Sequence, residues 1–350
     1  MTGAEASVRV SVIVMSYQHE RYIASALASI LEQDAGVPYE ILVGDDASTD
    51  SSRAIIAEYA AAHPHRIRTF FPDSNLGLEG RAMFNALLQR ARGEYLAKLD
   101  GDDYWTSADK LRRQVAYLDA HPECSMCFHN VLWHQEDGSR PDVPYNSADQ
   151  PSELQMQDLL SANPVASCSI LVRRKAVDPL PAWFFEQPWG DWQLNLIASQ
   201  QGSIHYLPEL MALHRTHPGG MWSQLSTLEA LEGITRCQEG MRGVVPSELE
   251  WRRREALAET WAKRAAEHAR LADRAEARRC LHESLGLRPI ELRRLRRRGG
   301  DRRRILLWLR LNVAGPLHAR GHRFLTRCRA SAGAVAAGVR RAGRDARRGG

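Results

Sequence analysis

Three features are scarce or missing in this chain of 350 residues, and each absence narrows the class of protein. The six cysteines do not have the spacing of a disulfide scaffold, which fits a reducing compartment. The apolar run at residues 10–15 is too short for the core of a signal peptide. No apolar stretch approaches the length of a membrane span. We therefore expect a cytoplasmic protein, soluble or peripheral on the inner face of the cytoplasmic membrane.

A zinc site is also poorly supported. Cys124, Cys127 and His129 resemble half of a zinc site, but no second pair of ligands follows at a suitable spacing. The apolar residues Val131 and Leu132 instead favour a buried strand here.

Lysine is absent from residues 288–350, where 19 arginines and three acids give a net charge of +16. Because the whole chain carries +5, residues 1–287 carry −11, so an acidic body is joined to a basic tail. The arginines and the apolar patch at residues 305–311 predict that the tail rests on an anionic membrane surface. A solvated extension is the alternative, favoured for residues 330–350. Nucleic-acid binding is disfavoured, because no recognised module accompanies the charge.

Strand and helix patterns alternate along the first half of the chain. β-Branched runs at residues 10–15 and 40–44 are each followed by apolar residues at helical spacing, and the alternation continues to a strand at residues 95–99. This order predicts an α/β fold with a Rossmann-like, mainly parallel sheet flanked by helices. Later segments predict a loop at residues 134–151, a short strand at 210–214, and a helical hairpin at 248–271 and 273–287. The predicted domains are residues 1–225, a helical extension at 226–290 and an Arg-rich tail at 291–350.

Two acidic clusters come directly after predicted strands. Asp45 and Asp46 form the first, and Asp100, Asp102 and Asp103 the second. The carboxyl ends of parallel strands meet at one edge of the sheet, where open α/β folds bind ligands. Crowded carboxylates repel one another unless a cation or hydrogen-bond donors join them, and Mg²⁺ and Mn²⁺ prefer oxygen ligands. The second cluster therefore predicts a divalent-metal site.

Over about residues 8–225 the chain resembles the inverting family 2 glycosyltransferases, which have the GT-A fold. The resemblance rests on seven segments in this order and spacing: VSVIVMSY at 10–17, GDDASTD at 44–50, NLG at 75–77, GEY at 93–95, LDGDD at 99–103, GD at 190–191 and HRTH at 214–217.

The resemblance implies a donor site at the two acidic clusters. Asp46 is expected to hydrogen-bond the nucleotide base, and Ser16 and Tyr17 to line the same pocket. Asp100 and Asp102 are similar to the family's Asp-x-Asp motif. Asp102 would bind the metal that bridges the donor diphosphate, while Asp100 would contact the ribose side and contribute to the metal site.

The resemblance also implies a catalytic base. Asp191 matches the residue that takes the proton from the acceptor hydroxyl, a role that contributes about 10²- to 10⁴-fold in rate. The family often has Glu before this Asp, whereas this chain has Gly190.

Further cationic residues are expected at the donor. His217 matches a position that helps to bind the metal or diphosphate in some members, and His214 is the competing candidate. Arg81 and Arg215 are expected to bind the donor, where Arg215 would neutralise phosphate charge.

Several of these residue types also have a simpler interpretation. Asp45 is as well suited to capping the following turn as to binding. Asp103 is as well suited to precede a helix or to support a ligand residue from behind as to bind a ligand itself. Trp105, Trp189 and Trp192 are expected either to stack on sugar rings or to fill the core.

The resemblance implies an enzyme that depends on Mn²⁺ or Mg²⁺. It would move a sugar from a nucleoside diphosphate sugar, expected to be UDP-linked, to a glycan or lipid-linked acceptor in polysaccharide or cell-envelope synthesis. The alternative is a non-catalytic sugar-nucleotide-binding or scaffold protein of the same fold. A nucleotidyltransferase is disfavoured, because Ser16 and Tyr17 stand where a Gly-rich nucleotide loop would be expected.

Overall fold

The computed structural model describes residues 7–289 and 299–312. The chain divides into two compact units between Ala256 and Leu257. The strands of the first unit are β1 (Val10–Ser16), β2 (Tyr39–Asp45), β3 (Ile67–Phe70), β4 (Tyr95–Asp100), β5 (Tyr104–Trp105), β6 (Cys124–Gln135), β7 (Val143–Pro144), β8 (Glu153–Leu154), β9 (Leu171–Arg173) and β10 (Ser203–Thr216).

In the described part of the chain, eight helices lie between these strands, and a ninth follows the last strand. They are α1 (Ile23–Leu31), α2 (Ser52–Ala62), α3 (Arg81–Leu88), α4 (Lys110–Ala120), α5 (Met156–Leu159), α6 (Arg174–Val177), α7 (Trp183–Glu186), α8 (Asp191–Ser199) and α9 (Thr227–Gly240). Helix α10 (Glu250–Arg270) spans the division between the units. In α1, Ile23, Leu27 and Ile30 recur at helical spacing and are fully buried, which explains why this segment packs as a helix.

The sheet combines parallel and antiparallel pairs in the order β3-β2-β1-β4-β9-β6-β10-β5. Strands β3, β2, β1 and β4 are mutually parallel, as the strand–helix alternation predicts. The short strand β9 is antiparallel to both β4 and β6, and β6 is parallel to β10. The predicted α/β fold with a largely parallel sheet is confirmed.

Apolar side chains cover both faces of this sheet. One buried cluster includes Ile13, Leu42 and Leu96, and the other includes Val12, Val43 and Leu99. Adjacent residues of β1, β2 and β4 thus point to opposite faces, so these strands are apolar along nearly their whole length. The polar residues that interrupt the pattern are therefore concentrated at the strand ends.

The second unit is helical where it is described. It contains α11 (Arg274–Leu287) and α12 (Gly299–Asn312), and its apolar cluster includes Leu257, Trp261 and Leu281. Among the described residues, no helix combines the length and the apolar character needed to span a membrane. Most of the predicted Arg-rich tail, residues 291–298 and 313–350, lies outside the described part of the chain.

Candidate active site

Three strands bring their polar ends to one edge of the sheet. Ser16 is paired with Asp45 across β1 and β2, and Met15 is paired with Asp100 across β1 and β4. The backbone N–H of Asp46 donates to the carbonyl of Ser16 at 2.9 Å. Both predicted acidic clusters therefore lie at the carboxyl edge of the parallel strands, on either side of β1.

The two acids of the first cluster have different surroundings. Asp45 is fully buried and accepts hydrogen bonds from the backbone N–H and hydroxyl of Ser48 and from the guanidinium of Arg53. It closes the turn after β2, as the simpler interpretation proposed. Asp46 accepts a 2.7 Å hydrogen bond from the backbone N–H of Leu76.

The residues beside Asp46 offer further polar atoms. The hydroxyl of Ser16 is buried and has no hydrogen-bond partner among the described residues. Buried polar atoms are almost always paired, so this hydroxyl is available to a further hydrogen-bond partner. Tyr17 follows directly and is half exposed.

A lysine that the motif does not specify holds the first acid of the second cluster. The ammonium of Lys98 lies 2.8 Å from both carboxylate oxygens of Asp100, and the hydroxyl of Ser167 donates to the same carboxylate. Burial favours the neutral amine, but the charge of Asp100 outweighs it and the pKa of Lys98 is raised. Lys98 therefore stays cationic at this edge. In the sequence, Lys98 is visible as a single charged residue within the apolar run that precedes Asp100.

Two imidazoles flank Asp102. Nε2 of His217 lies 3.2 Å from the carboxylate of Asp102, and Nε2 of His19 lies 3.8 Å from it. Burial opposes ionisation, but the hydrogen bond from His217 and the charge of His19 lower the pKa of Asp102. A Cβ at Gly101 would lie 2.8 Å from Nδ1 of His19, so a larger residue here would displace the imidazole.

The two histidine candidates contact different acids. His217 contacts Asp102, whereas Nδ1 of His214 lies 3.0 Å from the carboxylate of Asp103. The charge of the buried Asp103 outweighs the effect of burial and raises the pKa of His214 to about 9. The two form an ion pair in which Asp103 is buried and His214 is one-third exposed, and burial raises the pKa of Asp103 as well.

Arg215 joins the second cluster to its surroundings. Its backbone N–H donates to Asp103 at 2.8 Å, and its side-chain Nε donates to the carbonyl of Asp102 at 2.9 Å. The guanidinium also lies over the ring of Tyr22, 4.7 Å from the centroid. Its positive charge is thus fixed beside the Asp-x-Asp segment.

Asp191 is the first residue of α8, a long way along the chain from the two acidic clusters. The side-chain amide of Asn163 donates to its carboxylate at 3.0 Å, and Asn195 in turn donates to the amide oxygen of Asn163. Burial raises the pKa of Asp191, while the nearby charge of Lys98 partly opposes this rise. Lys98 therefore acts electrostatically on both Asp100 and Asp191.

Gly190 stands where the family often has Glu, and its surroundings leave little space for a side chain. A Cβ at this position would lie 3.0 Å from Cγ of Arg81 and 3.1 Å from the ring of Phe184, so a larger residue would displace them. Arg81 is buried and pairs with Glu79 at 2.9 Å, and Glu79 also accepts from the backbone N–H of Trp189. The Nε atom of Arg81 is buried without a partner among the described residues.

The three tryptophans considered for sugar stacking lie in the core. Trp105, Trp189 and Trp192 are all less than one-tenth exposed. The indole N–H of Trp105 donates to the carbonyl of Cys168, and that of Trp192 donates to the carbonyl of Leu159. Core packing is therefore the correct interpretation for these residues.

The side chains at Asp102 suit a divalent cation. The carboxylate of Asp102 and the imidazole of His217 are ligand types that Mn²⁺ accepts, whereas both carboxylate oxygens of Asp100 face the ammonium of Lys98. Among the described residues, groups of three ligating side chains within 4.8 Å occur elsewhere, at Asp103, Cys168 and His214 and in the second unit. Burial and the charge of Asp103 raise the pKa of the Cys168 thiol, which disfavours a thiolate-bound metal there.

Comparison with known proteins shows which proteins the chain is similar to. Residues 11–180 match the family model "Glycosyl transferase family 2". An uncharacterized protein of Mycobacterium tuberculosis is 39% identical over 218 residues, which are 62% of this chain and 61% of that protein. The chain thus spans about three-fifths of the length of that relative.

Two solved structures share the fold. Residues 1–349 of TarS from Staphylococcus aureus, in complex with UDP-GlcNAc, align with a TM-score of 0.61 at 20% identity over 86% of this chain and 87% of that one. TarS is named a poly(ribitol-phosphate) beta-N-acetylglucosaminyltransferase. A mannosyltransferase of Pyrobaculum calidifontis in complex with GDP-Man and Mn²⁺ aligns with a TM-score of 0.50 at 18% identity, covering 88% of both chains. The GT-A fold is confirmed.

Proposed function

Because residues 11–180 match the family model of glycosyl transferase family 2, we propose that the protein transfers a sugar from a nucleoside diphosphate sugar to an acceptor hydroxyl, with inversion at the anomeric carbon. The observation that carries the proposal is the position of Lys98. This cation pairs with Asp100 of the donor motif and also acts on Asp191, the candidate base. The two groups needed for donor binding and for proton removal are thereby linked through one side chain.

The donor nucleotide is assigned to the strand ends around β1. Asp46, already fixed through Leu76, receives hydrogen bonds from the base, and the unpaired hydroxyl of Ser16 bonds the same nucleotide. The buried cation of Arg81 contributes positive charge. UDP is the nucleotide we favour, since the TarS structure of the same fold contains UDP-GlcNAc.

Asp102 and His217, with Asp100, would hold Mn²⁺ or Mg²⁺. When bound, such a cation stabilises the negative charge on the leaving diphosphate as a Lewis acid. Arg215 adds a fixed positive charge at the same segment, because its guanidinium is hydrogen-bonded to the backbone of Asp102. The Mn²⁺ in the mannosyltransferase structure supports this choice of ion.

Asp191 is assigned the role of general base. It takes the proton from the acceptor hydroxyl as the oxygen attacks the anomeric carbon opposite the leaving diphosphate. Its raised pKa suits this role, since a base whose pKa lies closer to the working pH accepts a proton more readily. Asn163 fixes one carboxylate oxygen of Asp191 and so orients the other.

The acceptor is assigned to a glycan of the cell envelope or another polysaccharide, free or lipid-linked. The name of TarS, which acts on a poly(ribitol-phosphate), supports an envelope polymer as the class. In the second unit, α12 exposes Leu306 between the arginines 303 and 310, which supports contact with an anionic membrane. Flotation with anionic and neutral vesicles tests this contact, and equal binding to both would contradict it.

Release of nucleoside diphosphate from UDP- and GDP-sugars with Mn²⁺ tests the activity. We expect one donor to be consumed by the wild type, but not by Asp102→Asn or Asp191→Asn when acceptor is present. Donor binding without turnover across a broad acceptor panel would instead favour a non-catalytic protein of the same fold.

A further inference from the structure

An aromatic surface begins beside the candidate base. The carbonyl of Asn163, whose side chain binds Asp191, accepts a long hydrogen bond of 3.5 Å from the hydroxyl of Tyr145. Burial and the charge of Asp191 raise the pKa of Tyr145 to about 12, so its phenol is neutral. One residue thus separates the ring of Tyr145 from the carboxylate that would receive the acceptor proton.

A second ring extends this surface outward. The rings of Trp133 and Tyr145 lie 6.2 Å apart at 64°. Trp133 is 36% exposed and Tyr145 is 37% exposed, in contrast to the buried tryptophans of the core. We call these two side chains the aromatic wall.

The aromatic wall is held in place by its surroundings. The indole N–H of Trp133 donates to the hydroxyl of Thr216 at 2.7 Å, which joins the ends of β6 and β10. The backbone N–H of Tyr145 donates to the carbonyl of Val131. The ring of His214 supports Tyr145 edge-on, with centroids 6.3 Å apart. Two rings fixed in this way present apolar faces to a ligand at little cost in side-chain entropy.

We propose that Trp133 and Tyr145 form the acceptor subsite and stack against a pyranose ring of the acceptor glycan. The inference rests on the proposed function for its position, since it places the acceptor sugar beside Asp191. A pyranose has an apolar face of C–H groups that fits an uncharged aromatic ring, whereas an acyclic polyol phosphate has no such face. The aromatic wall therefore favours a sugar ring as the group that receives the transferred residue.

Binding of simple sugars to the full-length protein tests the proposal. The probes are methyl glycosides of glucose, galactose, mannose and N-acetylglucosamine, observed by saturation-transfer NMR with UDP and Mg²⁺ present. We expect at least one glycoside to bind the wild type. Trp133→Ala and Tyr145→Ala should each weaken that binding about two- to tenfold, the range of a single aromatic contact.

Conservative variants separate stacking from a purely structural role. Trp133→Phe and Tyr145→Phe keep a ring but lose the hydrogen bonds to Thr216 and Asn163, so binding should stay close to wild type. Trp251→Ala removes another exposed tryptophan and serves as the matched control. Calorimetry with UDP and Mg²⁺ should give the same affinity for every variant.

Three results would overturn the proposal. The first is that no glycoside gives a saturation-transfer signal with the wild type. The second is that both Ala variants bind the glycoside as the wild type does. The third is that ribitol 5-phosphate displaces the bound glycoside at equal or lower concentration. Glycoside binding that depends on the aromatic wall, without turnover of any donor, would support the subsite but contradict the proposed transfer reaction.

Discussion

The ammonium of Lys98 lies 2.8 Å from both carboxylate oxygens of Asp100. This contact places a buried cation at the start of the Asp-x-Asp segment, and the same charge opposes the rise in the pKa of Asp191. The acidic edge of the sheet is therefore partly neutralised by the chain itself.

Replacing Lys98 should impair transfer without unfolding the protein. Lys98→Met removes a charge-assisted hydrogen bond to Asp100, and we expect kcat/KM to fall about 10- to 100-fold. Lys98→Arg should lose less, because it keeps the charge. Steady-state kinetics with the consumed donor measure the effect, and Lys175→Met, at an exposed lysine, is the control. Wild-type kinetics in Lys98→Met would show that Lys98 does not contribute to transfer.

The pH profile should identify Asp191 as the base. Only the carboxylate form accepts a proton, so activity should rise with pH through the pKa of Asp191. Burial raises that pKa, so the acidic limb should lie above the ordinary Asp value of about 3.9. Because Lys98 opposes the rise, Lys98→Met should move the limb to higher pH. If the acidic limb of the activity profile lies at the same pH in wild type and Lys98→Met, the effect of Lys98 on the pKa of Asp191 is contradicted.

Substitution of Asp191 should affect turnover and spare donor binding. Asp191→Asn still accepts the hydrogen bond from Asn163 but is not a base. We expect kcat to fall about 10²- to 10⁴-fold. The affinity for UDP with Mg²⁺, measured by calorimetry, should be unchanged. A loss of UDP binding in this variant would place Asp191 in the donor site instead.

His214 should stabilise the fold in a pH-dependent manner. The pKa of His214 is raised to about 9 by Asp103, whereas an unfolded histidine titrates near 6.5. Its contribution is therefore fully present below about pH 6.5 and is lost as pH rises through about 9. The difference in free energy of unfolding between wild type and His214→Gln should shrink over this range. Urea unfolding in the presence of EDTA measures it, and a difference that stays constant would exclude the ion pair.

Metal binding should depend more on His217 than on His19. Nε2 of His217 lies 3.2 Å from Asp102, and that of His19 lies 3.8 Å from it. With UDP present, His217→Ala should weaken Mn²⁺ binding by about tenfold or more, and His19→Ala by less. Electron paramagnetic resonance of free Mn²⁺ gives the affinities, and the exposed His63→Ala serves as the control. Equal affinities in all three variants would contradict the assignment of Asp102 and His217 to the metal.

Much of the sheet follows directly from the sequence, because β1, β2 and β4 are apolar runs, of which β2 and β4 end at acids. The structure extends the predicted strand at residues 210–214 to β10, Ser203–Thr216, and shows irregular pairing between Leu207 and Leu210. Pro208 lies inside this stretch, and a proline within a strand pattern argues against one continuous strand. The loop predicted at residues 134–151 contains the short strand β7. The three-residue strand β9, antiparallel to its neighbours, carries too little pattern to reveal its direction.

The site was predictable only where a motif marks it. The sequence predicts Asp46, Asp100, Asp102 and Asp191, together with His217 beside Asp102, but not the contacts of Lys98, Asn163 and His19 with these acids. Lys98 is visible as a charged residue in an apolar strand, whereas nothing in the neighbouring sequence of Asn163 points to Asp191, 28 residues away. Such contacts arise from tertiary packing, which one sequence does not encode in local spacing.

The most direct test of the central claim is nucleotide release and product formation with a panel of nucleoside diphosphate sugars, Mn²⁺ and glycan acceptors. We expect the wild type to consume one donor and to form a product with the inverted anomeric configuration. Folded Asp102→Asn and Asp191→Asn should form product far more slowly than the wild type, by about 10²- to 10⁴-fold for Asp191→Asn. Wild-type rates in either variant, or a product that retains the donor's configuration, would contradict the central claim.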